Sequence, residues 1–479
     1  MRSLVESLIR NKNKNPNKII FADENKSITN QELYDKSMQI ASYLSNYYNQ
    51  PIIIEMSKSV ETVVLMMGVL LSGNFYTVLD VDMPEERKTT IINLLEPVCK
   101  ITTKNNKKSD YVFFEDIIET KTKTKKININ YNMSNPMYVL FTSGSTGIPK
   151  GVVVNHNSVM HYLNWFTNEF NINETTVFGN QTPLYFSMSI SDVLGTIYAG
   201  STLYFIPHSY FSFPLYLMKY MEENKINTIY WVPSALNMIS TFDAFKTFEL
   251  PELKKVLFAG EVMPPKVINY FVRNHKAYYA NLFGPTETTD ICTYYEIKEE
   301  TDNVPIGKAC NGLTAIILKD GKESQTGELY IKGPFLASGY YNNPQKTSEV
   351  FIQNPLNKAF PEIIYKTGDI VNVREDGNLL YVGRADFQIK HMGYRIELGE
   401  IENKVYEIDE VNTCVVVYKN DKIILYYVGN IEEETLLERL KTKVPNYMIP
   451  NKIHKESKMN YNLNGKIDRT FYKNLKEDE

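Results

Sequence analysis

Short apolar runs alternate with stretches of helical hydrophobic spacing across the first three quarters of the chain. Residues 137–141 (MYVLF) form one such run, a loop rich in Gly, Ser and Thr follows it, and residues 152–154 (VVV) form the next. After them Val159, Tyr162 and Phe166 recur at the spacing of one helix face. This order of strand, loop, strand and helix predicts an α/β fold with largely parallel sheets.

The composition is typical of a globular protein with several domains. The 479 residues are 43% hydrophobic, and a chain of this length corresponds to two to four domains at roughly 100 to 200 residues each. With 52 Lys and Arg against 56 Asp and Glu, the net charge is -4, so no overall positive field attracts nucleic acid. Cys99, Cys292, Cys310 and Cys414 form no CxxC pair, which suggests neither a zinc site nor a disulfide framework.

The N-terminus and the apolar runs predict a cytoplasmic protein that binds no membrane. The short apolar stretch at the start contains Glu6, and no small-residue cleavage site follows it, so it does not resemble a secretory signal. The longest apolar runs, such as residues 61–73 (ETVVLMMGVLLSG), are shorter than the roughly 18 residues of a membrane span. These runs are therefore expected to form buried helices or strands.

The C-terminal part of the chain changes character. Short strands are predicted at residues 413–418 (TCVVVY) and 423–428 (IILYYV), with a helix near residues 432–441. We place a domain boundary close to residues 384–387, which gives an N-terminal domain of residues 1–385 and a C-terminal domain of residues 386–479.

We interpret residues 142–151 (TSGSTGIPKG) as a polyphosphate-binding loop. Glycines permit positive φ and a close backbone approach, successive N–H groups form an anion-binding concavity, and Lys150 adds positive charge. Pro149 stands where the second glycine of the pattern GxxxxGK[ST] would be, which disfavours a Walker-type NTPase. On these residues alone, a plain surface loop is the alternative interpretation.

The same loop resembles the signature loop of the adenylate-forming (ANL) superfamily, which includes acyl-CoA synthetases, peptide-synthetase adenylation domains and luciferases. Further superfamily motifs follow in the family's order, and the resemblance covers essentially the whole chain. They are ITNQELY near Ile28, YTVLDVDMPEER near Tyr76, NLFGPTETT (281–289), GELYIKG (327–333), YKTGD (365–369), GRADFQIKHMGYRIELGEIE (383–402), VPNYMIP (444–450) and NGKIDR (464–469). The resemblance implies a large N-terminal domain of two packed α/β subdomains with a small barrel-like subdomain, followed by a mobile α+β lid domain.

The resemblance also implies a two-step reaction, in which a carboxylate and ATP give an acyl-adenylate and pyrophosphate before a thiol displaces AMP. By resemblance, Phe283 stacks on adenine, Asn281 lies near its amine and Thr286 contacts the α-phosphate. Glu287 resembles the ligand of Mg²⁺, which neutralises charge as pyrophosphate departs. Asp369 resembles the carboxylate that accepts the ribose hydroxyls, and Arg384 the residue that supports the ribose or phosphate side. The remaining residues implied in ATP binding are Thr142, Ser143, Gly144, Ser145, Thr146, Gly147, Lys150, Gly260, Glu261 and Tyr381.

Three further positions are implied by resemblance in the C-terminal domain. Lys466 matches the catalytic lysine that reaches the substrate carboxylate and α-phosphate, where a fixed cation stabilises the transition state. Asp386 matches the hinge about which this domain rotates. Gly393 matches the glycine beside the pantetheine tunnel, where the absence of a Cβ permits close approach.

The expected acyl pocket departs from the pattern of amino-acid-activating relatives. Those relatives carry an aspartate for the substrate ammonium where this chain has Ser187, and a serine supplies only a dipole for a buried cation. Asp290 is the one carboxylate in an otherwise mostly apolar lining, and it either anchors a phenol or distant amine or points out of the pocket. The other lining positions are Met188, Ser191, Tyr230, Leu257, Ala259, Leu282 and Ile291. A small aryl or ω-amino acid is therefore favoured.

Segments such as residues 257–265 (LFAGEVMPP) are most similar to carrier-protein ligases, including D-alanine carrier ligases. The chain shows no phosphopantetheine-serine motif after Lys466, so we expect the thiol on a separate carrier protein. Three alternatives stay open: a D-alanine-like amino-acid ligase, an acyl-CoA ligase, and a catalytically silent nucleotide-binding protein.

Overall fold

The computed structural model describes residues 2–106, 108–120, 132–144, 148–385, 388–460 and 467–475. The α-helices are α1 (Leu4–Lys14), α2 (Asn30–Tyr43), α3 (Val60–Leu71), α4 (Glu85–Leu95), α5 (Phe114–Glu119), α6 (His156–Glu169), α7 (Gly195–Ala199), α8 (Pro214–Glu223), α9 (Pro233–Thr241), α10 (Pro265–Asn274), α11 (Pro344–Val350), α12 (Leu398–Tyr406), α13 (Glu433–Lys441) and α14 (Arg469–Asn474). A π-helical turn spans Ile190–Leu194. Short 3₁₀ turns occupy Lys104–Asn106, His208–Ser212, Ala244–Lys246, Thr286–Thr288 and Asn446–Met448.

The strands alternate with these helices through the first part of the chain and cluster in its later part. They are β1 (Ile19–Ala22), β2 (Ser27–Thr29), β3 (Pro51–Glu55), β4 (Phe75–Leu79), β5 (Cys99–Thr102), β6 (Val112–Phe113), β7 (Pro136–Thr142), β8 (Lys150–Asn155), β9 (Val177–Asn180), β10 (Thr202–Phe205), β11 (Thr228–Trp231), β12 (Lys255–Phe258), β13 (Tyr278–Phe283), β14 (Thr293–Ile297), β15 (Lys308–Ala309), β16 (Thr314–Lys319), β17 (Lys322–Glu323), β18 (Thr326–Lys332), β19 (Gly339–Tyr340), β20 (Phe351–Gln353), β21 (Ile363–Val373), β22 (Leu379–Arg384), β23 (Gln388–His391), β24 (Tyr394–Glu397), β25 (Val411–Lys419), β26 (Lys422–Gly429) and β27 (Lys452–Lys455).

Two large sheets and a third, antiparallel sheet carry the N-terminal part of the fold. The nine-stranded sheet has the order β15-β14-β13-β12-β11-β9-β10-β1-β2, and β10, β9, β11, β12 and β13 run parallel. The seven-stranded sheet has the order β19-β8-β7-β4-β3-β5-β6, with a parallel centre. The sheet built from β16, β17, β18, β20, β21 and β22 is antiparallel. The predicted α/β class is confirmed.

The predicted elements are confirmed where the structure describes them. The apolar runs at 137–141 and 152–154 are β7 and β8, and the helical spacing after them is α6. The apolar run that begins near residue 61 is α3, which is buried along its length. Gly68 of this helix allows α2 to pack closely, because a Cβ there would lie 2.4 Å from the Cβ of Ile40.

The described residues divide into two compact units. The first comprises those within residues 1–81, 95–140 and 151–385, and the second those within 82–94, 141–150 and 386–479. Each unit has apolar cores of its own. The predicted boundary after residue 385 and the mobility of a C-terminal lid stay predictions.

Within the described ranges, none of the helices combines the length and the apolar character that crossing a bilayer requires.

Candidate functional site

The carboxyl ends of four parallel strands bring several predicted site segments to one edge of the nine-stranded sheet. Trp231 at the end of β11 lies opposite Phe258 of β12, which lies opposite Asn281 of β13. The loops after these strands, and the segment that follows β9, therefore start from the same edge. Loops at this edge are where open α/β sheets bind ligands.

The loop after β13 has a conformation that its sequence fixes closely. A Cβ on Gly284 would lie 2.3 Å from the carbonyl oxygen of Asp290, so only glycine fits there. Thr289 has φ of +69°, which is unfavourable for a β-branched residue. Its hydroxyl donates to the carbonyl oxygen of Phe335 over 2.7 Å. The folded loop thus maintains local strain directly before Asp290, as is common at functional sites.

Asp290 is buried and receives three hydroxyl hydrogen bonds on one carboxylate oxygen. Ser191 Oγ donates to its Oδ2 over 2.6 Å, Tyr162 Oη over 3.0 Å and Tyr230 Oη over 3.1 Å. Burial raises the pKa of Asp290 to about 6, and hydrogen bonds from Ser191, Tyr162, Tyr230 and Ser187 oppose that rise. The carboxylate therefore faces the predicted lining residues Ser191 and Tyr230 inside the first unit.

Ser187 connects this cluster to the loop that carries Thr286. The Thr286 hydroxyl lies 3.4 Å from Ser187 Oγ, and Ser187 is only partly buried. In the sheet, Tyr230 lies opposite Leu257. The other predicted lining residues, Met188, Leu257, Ala259, Leu282 and Ile291, are all buried.

The residues that the resemblance implies for adenine and ribose include two neighbouring aromatic rings and one ion pair. The rings of Phe283 and Tyr381 are 5.8 Å apart at 46°. Asp369 and Arg384 are opposite each other in the β21–β22 ladder, and the guanidinium donates to Asp369 Oδ1 over 2.9 Å. The Asn281 amide donates to the carbonyl oxygen of Pro305 over 2.7 Å. An aromatic surface and a buried carboxylate held by arginine suit a purine base and a sugar diol.

Gly260 and Glu261 follow β12 at the same edge. Gly260 has φ of +93°, a conformation that favours glycine. Glu261 Oε2 accepts a hydrogen bond from the backbone N–H of Ser234 over 2.8 Å, in the first turn of α9.

Glu287 is fully buried, and its Oε1 accepts a hydrogen bond of 2.6 Å from Tyr340 Oη. Within the described ranges there is no group of three or more His, Cys, Asp or Glu side chains that could hold a metal alone. Mg²⁺ in phosphate-transferring sites is usually held by one or two carboxylates plus substrate phosphates, so a single Glu287 fits this ion. When bound, Mg²⁺ would neutralise phosphate charge at this carboxylate.

Glu287→Gln is expected to slow the adenylation that the resemblance implies by at least about 10-fold, the smaller loss usual for a residue that only orients a metal ligand, and to raise the Mg²⁺ concentration needed for half-maximal rate. Glu287→Gln keeps an acceptor for Tyr340 but removes the negative charge that attracts the ion. The rate of ATP–pyrophosphate exchange during a Mg²⁺ titration measures both effects, with Tyr340→Phe as a variant that retains the charge. An unchanged Mg²⁺ dependence in Glu287→Gln would show that this carboxylate is not a ligand.

The second unit carries residues 142–144 and 148–150 of the predicted polyphosphate loop. Ser143 Oγ donates to the carbonyl oxygen of Arg395 over 2.6 Å. A Cβ on Gly144 would lie 2.1 Å from the carbonyl oxygen of Ile148, so the loop requires glycine there. Thr142 ends β7, and Lys150 begins β8. The predicted residues Ser145, Thr146, Gly147, Asp386 and Lys466 lie outside the described residues.

Gly393 occupies the tight turn between β23 and β24. Its φ is +80°, and Met392 before it has φ of +51°, which is the pattern of a two-residue hairpin turn with both central residues at positive φ. A side chain at position 393 would therefore be unfavourable for the backbone, whatever ligand lies nearby.

Sequence reasoning missed the tyrosine that faces Asp290 from α6. The periodic pattern identified Tyr162 only as a core residue, because a tyrosine at an apolar helix position usually packs in the core. Its ring does pack against Phe166 and Phe335. The hydroxyl, however, reaches both Ser191 and Asp290. The one signal available in the sequence was a tyrosine at a helix position predicted to be buried, because a buried tyrosine needs a polar partner for its hydroxyl.

Comparisons with known proteins identify relatives along nearly the whole chain. The model of the family described as AMP-binding enzyme matches residues 8–341. The chain is 32% identical over 488 residues to a mycosubtilin synthase of Bacillus subtilis, covering 95% of this chain but 18% of that much longer protein. It is 30% identical over 493 residues to the D-alanine–D-alanyl carrier protein ligase of Bacillus mycoides, covering 95% of each.

A solved structure has the same fold. The artificially fused adenylation–PCP di-domain NpsA-ThdA from Klebsiella oxytoca superposes with a TM-score of 0.85 at 21% identity, covering 95% of this chain and 93% of that one. The family match spans more than half of the sequence, and the carrier-protein ligase aligns along nearly all of it. The chain therefore belongs to the AMP-binding enzyme family of the adenylate-forming superfamily.

Proposed function

We propose that this protein activates a small carboxylic acid with ATP as an acyl-adenylate and transfers the acyl group to the phosphopantetheine thiol of a separate carrier protein. It is thus an AMP-forming acid–thiol ligase. Its family membership and its similarity to a carrier-protein ligase over the full length of both chains support this reaction class. A cytoplasmic location stays a prediction.

We further propose that the acid carries an amine away from its carboxyl group. The observation that supports this is the buried Asp290, which is held by the hydroxyl groups of Ser191, Tyr162 and Tyr230. These donors stabilise the anion but carry no charge themselves. A substrate ammonium would supply the missing positive charge, and an aromatic amine would supply N–H donors.

Ser187 disfavours an ordinary α-amino acid as the substrate. Ser187 has the place that an aspartate has in the amino-acid-activating relatives, and its hydroxyl lies beside Thr286 and Asp290. An α-ammonium would contact the dipole of Ser187 and lie farther from the charge of Asp290, whereas a distal amine would contact Asp290 directly. The distance along the substrate between carboxyl and amine is therefore the main determinant of selection.

In the proposed reaction each group of residues has a separate task. Phe283 and Tyr381 hold the base, and Asp369 accepts the ribose hydroxyls while Arg384 keeps its carboxylate in position. By its match to the catalytic lysine of the superfamily, Lys466 would stabilise the charge that develops as the substrate carboxylate attacks the α-phosphate. The thiol then attacks the acyl carbon, the acyl–oxygen bond breaks, and AMP leaves.

Substrate-dependent ATP–pyrophosphate exchange tests this proposal without the carrier protein. The panel contains D- and L-α-amino acids, β- and ω-amino acids, hydroxy- and aminobenzoates, and short fatty acids. We expect strong exchange with an acid that has a distal amine and little with the same acid lacking it. Exchange with α-amino acids alone would contradict the distal anchor, and no exchange with any acid would indicate a silent nucleotide-binding protein.

The thiol acceptor is tested in a second assay. With the best acid bound as adenylate, AMP release is measured with CoA, with pantetheine and with phosphopantetheinylated carrier proteins, including a D-alanyl carrier protein. We expect a carrier protein to accelerate release more than CoA does at equal concentration. Faster release with CoA would identify the protein as an acyl-CoA ligase.

Aspartate at position 187 is expected to improve the use of α-amino acids. In Ser187→Asp the new carboxylate lies beside Asp290, so the like charges repel and raise both pKa values. The double variant Ser187→Asp/Asp290→Ile removes this repulsion and is expected to shift selectivity from the distal to the α-amine by about 100-fold. Exchange rates across the same panel measure the shift. If a folded double variant keeps the wild-type preference, the assignment of Ser187 to the amine position is wrong.

A further inference from the structure

Next to the Asp290 cluster, a lysine and a second buried carboxylate hold the segment that carries Ser191. Asp192 lies in the π-helical turn, is fully buried, and accepts a 2.7 Å hydrogen bond from the Asn180 amide at the end of β9. Lys58 donates to the carbonyl oxygen of Gln181 over 3.0 Å and to that of Asn180 over 3.4 Å. Asp192 thus ties the end of β9 to the π-helical turn, and Lys58 holds the same end of β9 from the segment before α3.

The two residues are also electrostatic partners. Burial lowers the pKa of Lys58 to about 8, and the charge of Asp192 opposes this decrease. Burial raises the pKa of Asp192 to about 7, and the charge of Lys58 opposes this rise. The Asp290 carboxylate raises the pKa of Asp192 further. Two buried carboxylates therefore share this region with one lysine.

The π-helical turn places consecutive side chains on two different partners. Ser191 donates to Asp290, and Asp192 accepts from Asn180. A π-turn inserts one residue into helical geometry and is often found at functional sites, where it redirects a side chain. A small shift of Asp192 would consequently move the Ser191 hydroxyl relative to Asp290.

We infer that Lys58 and Asp192 form a positioning pair that sets the place and charge balance of the π-helical turn, so that Ser191 and Asp290 together receive the substrate amine. The inference rests on the proposed function and adds two residues outside the predicted acyl-pocket lining and the predicted ATP contacts. The charge of Lys58 favours the Asp192 carboxylate without a direct ion pair, so that Asp290 is the carboxylate whose counter-charge comes from the substrate.

The test compares Asp192→Asn with the double variant Lys58→Met/Asp192→Asn. Asparagine can still accept from Asn180, but it leaves Lys58 without a counter-charge near the amine site. We expect the KM for the amine-bearing acid to rise about tenfold in the single variant and to return to within about threefold of wild type in the double variant. The KM for ATP, and the KM for the same acid without its amine, are expected to change by less than about threefold in both variants.

A matched control removes a lysine from a buried carboxylate elsewhere in the first unit. Lys108 lies 2.8 Å from Glu55, which also accepts from Tyr111. Lys108→Met is expected to lower thermal stability without a selective change in KM. A merely structural role for Lys58 and Asp192 would give the same result as this control.

The outcomes separate this inference from the proposed function. The positioning role would be overturned by any of three results. The KM could change equally for the two acids, the KM for ATP could change as much, or the double variant could show a KM for the amine-bearing acid as high as that of the single variant. Absence of exchange by the wild-type protein with every acid would overturn the proposed function and this role together. Lys58→Arg, which keeps the charge, is expected to stay within about threefold of wild type.

Discussion

Asparagine at position 290 is expected to lower kcat/KM for the amine-bearing acid by about 100-fold or more. Asp290→Asn is close to isosteric, and its amide oxygen can still accept from Ser191, Tyr162 and Tyr230. What it loses is the charge that pairs with the amine. Exchange assays with the amine-bearing acid and with its amine-free analogue measure this, because the analogue is expected to lose little.

Glu55→Gln is the matched control, since it neutralises a buried carboxylate that accepts from Tyr111 outside the candidate site. It is expected to leave kcat/KM for both acids unchanged. Equal losses for the two acids in Asp290→Asn would mean that the carboxylate shapes the pocket and binds no amine.

Asp290→Asn is also expected to stabilise the folded protein at alkaline pH. Burial raises the pKa of Asp290 from 3.8 to about 6, so the folded state disfavours the anion. The resulting cost is absent below pH 3.8, grows between pH 3.8 and 6, and is fully present above pH 6, where two pKa units amount to about 3 kcal/mol. Thermal unfolding at pH 8 should therefore show a higher Tm for Asp290→Asn, and the difference should shrink as the pH falls toward 4.

Binding of the amine-bearing acid is expected to weaken as the pH falls, although protonation of Asp290 stabilises the fold. Below about pH 6 the Asp290 carboxyl takes up a proton, so the KM of the wild-type protein for the amine-bearing acid should rise. Asp192, Tyr162 and Tyr230 face the same region, and Asp192 titrates near it with a pKa of about 7. The rise in KM below about pH 6 should be absent in Asp290→Asn and should remain in Asp192→Asn.

Alanine at position 466 is expected to slow adenylation by about 10²- to 10³-fold, the effect of removing one preorganised group that stabilises transition-state charge. In Lys466→Ala the carboxylate and the α-phosphate would approach each other without the cation between them. ATP binding and attack of the thiol on preformed adenylate should be little changed. Single-turnover rates of the two half-reactions, measured separately, check this.

Lys473→Ala provides the control, because this lysine is an exposed residue of α14 in the same unit. It is expected to behave as wild type in both half-reactions. Equal loss in both half-reactions of Lys466→Ala would exclude a role specific to adenylation.

The fold was predictable because its signals are local. The apolar runs that became β7 and β8, and the spacing that became α6, follow directly from periodicity. Glycine-rich and proline-containing motifs in family order then identified the superfamily. The assignment of residues 82–94 and 141–150 to the second unit was not predicted. It depends on contacts between segments far apart in the chain, such as Ser143 with Arg395, which no local pattern encodes.

The candidate site was predictable to the extent that its residues belong to motifs. Asp369, Arg384, Phe283 and Tyr381 were each predicted as ATP-binding residues. The structure brings Asp369 to Arg384 and Phe283 to Tyr381, two pairings that the sequence did not indicate. Tyr162 was missed because its apolar ring satisfies the helix pattern while its hydroxyl does not take part in it. Lys58 was missed because a single lysine before a helix is usually solvated, and only the tertiary fold brings it to the end of β9.

The most direct test of adenylation is the fate of carboxylate oxygen. The best acid from the exchange panel, labelled with ¹⁸O in its carboxyl group, is converted to thioester with ATP and a thiol, and the products are analysed by mass spectrometry. Formation and cleavage of an acyl-adenylate predict one ¹⁸O atom in AMP and none in pyrophosphate. Unlabelled AMP, with ¹⁸O in phosphate or pyrophosphate, would contradict it.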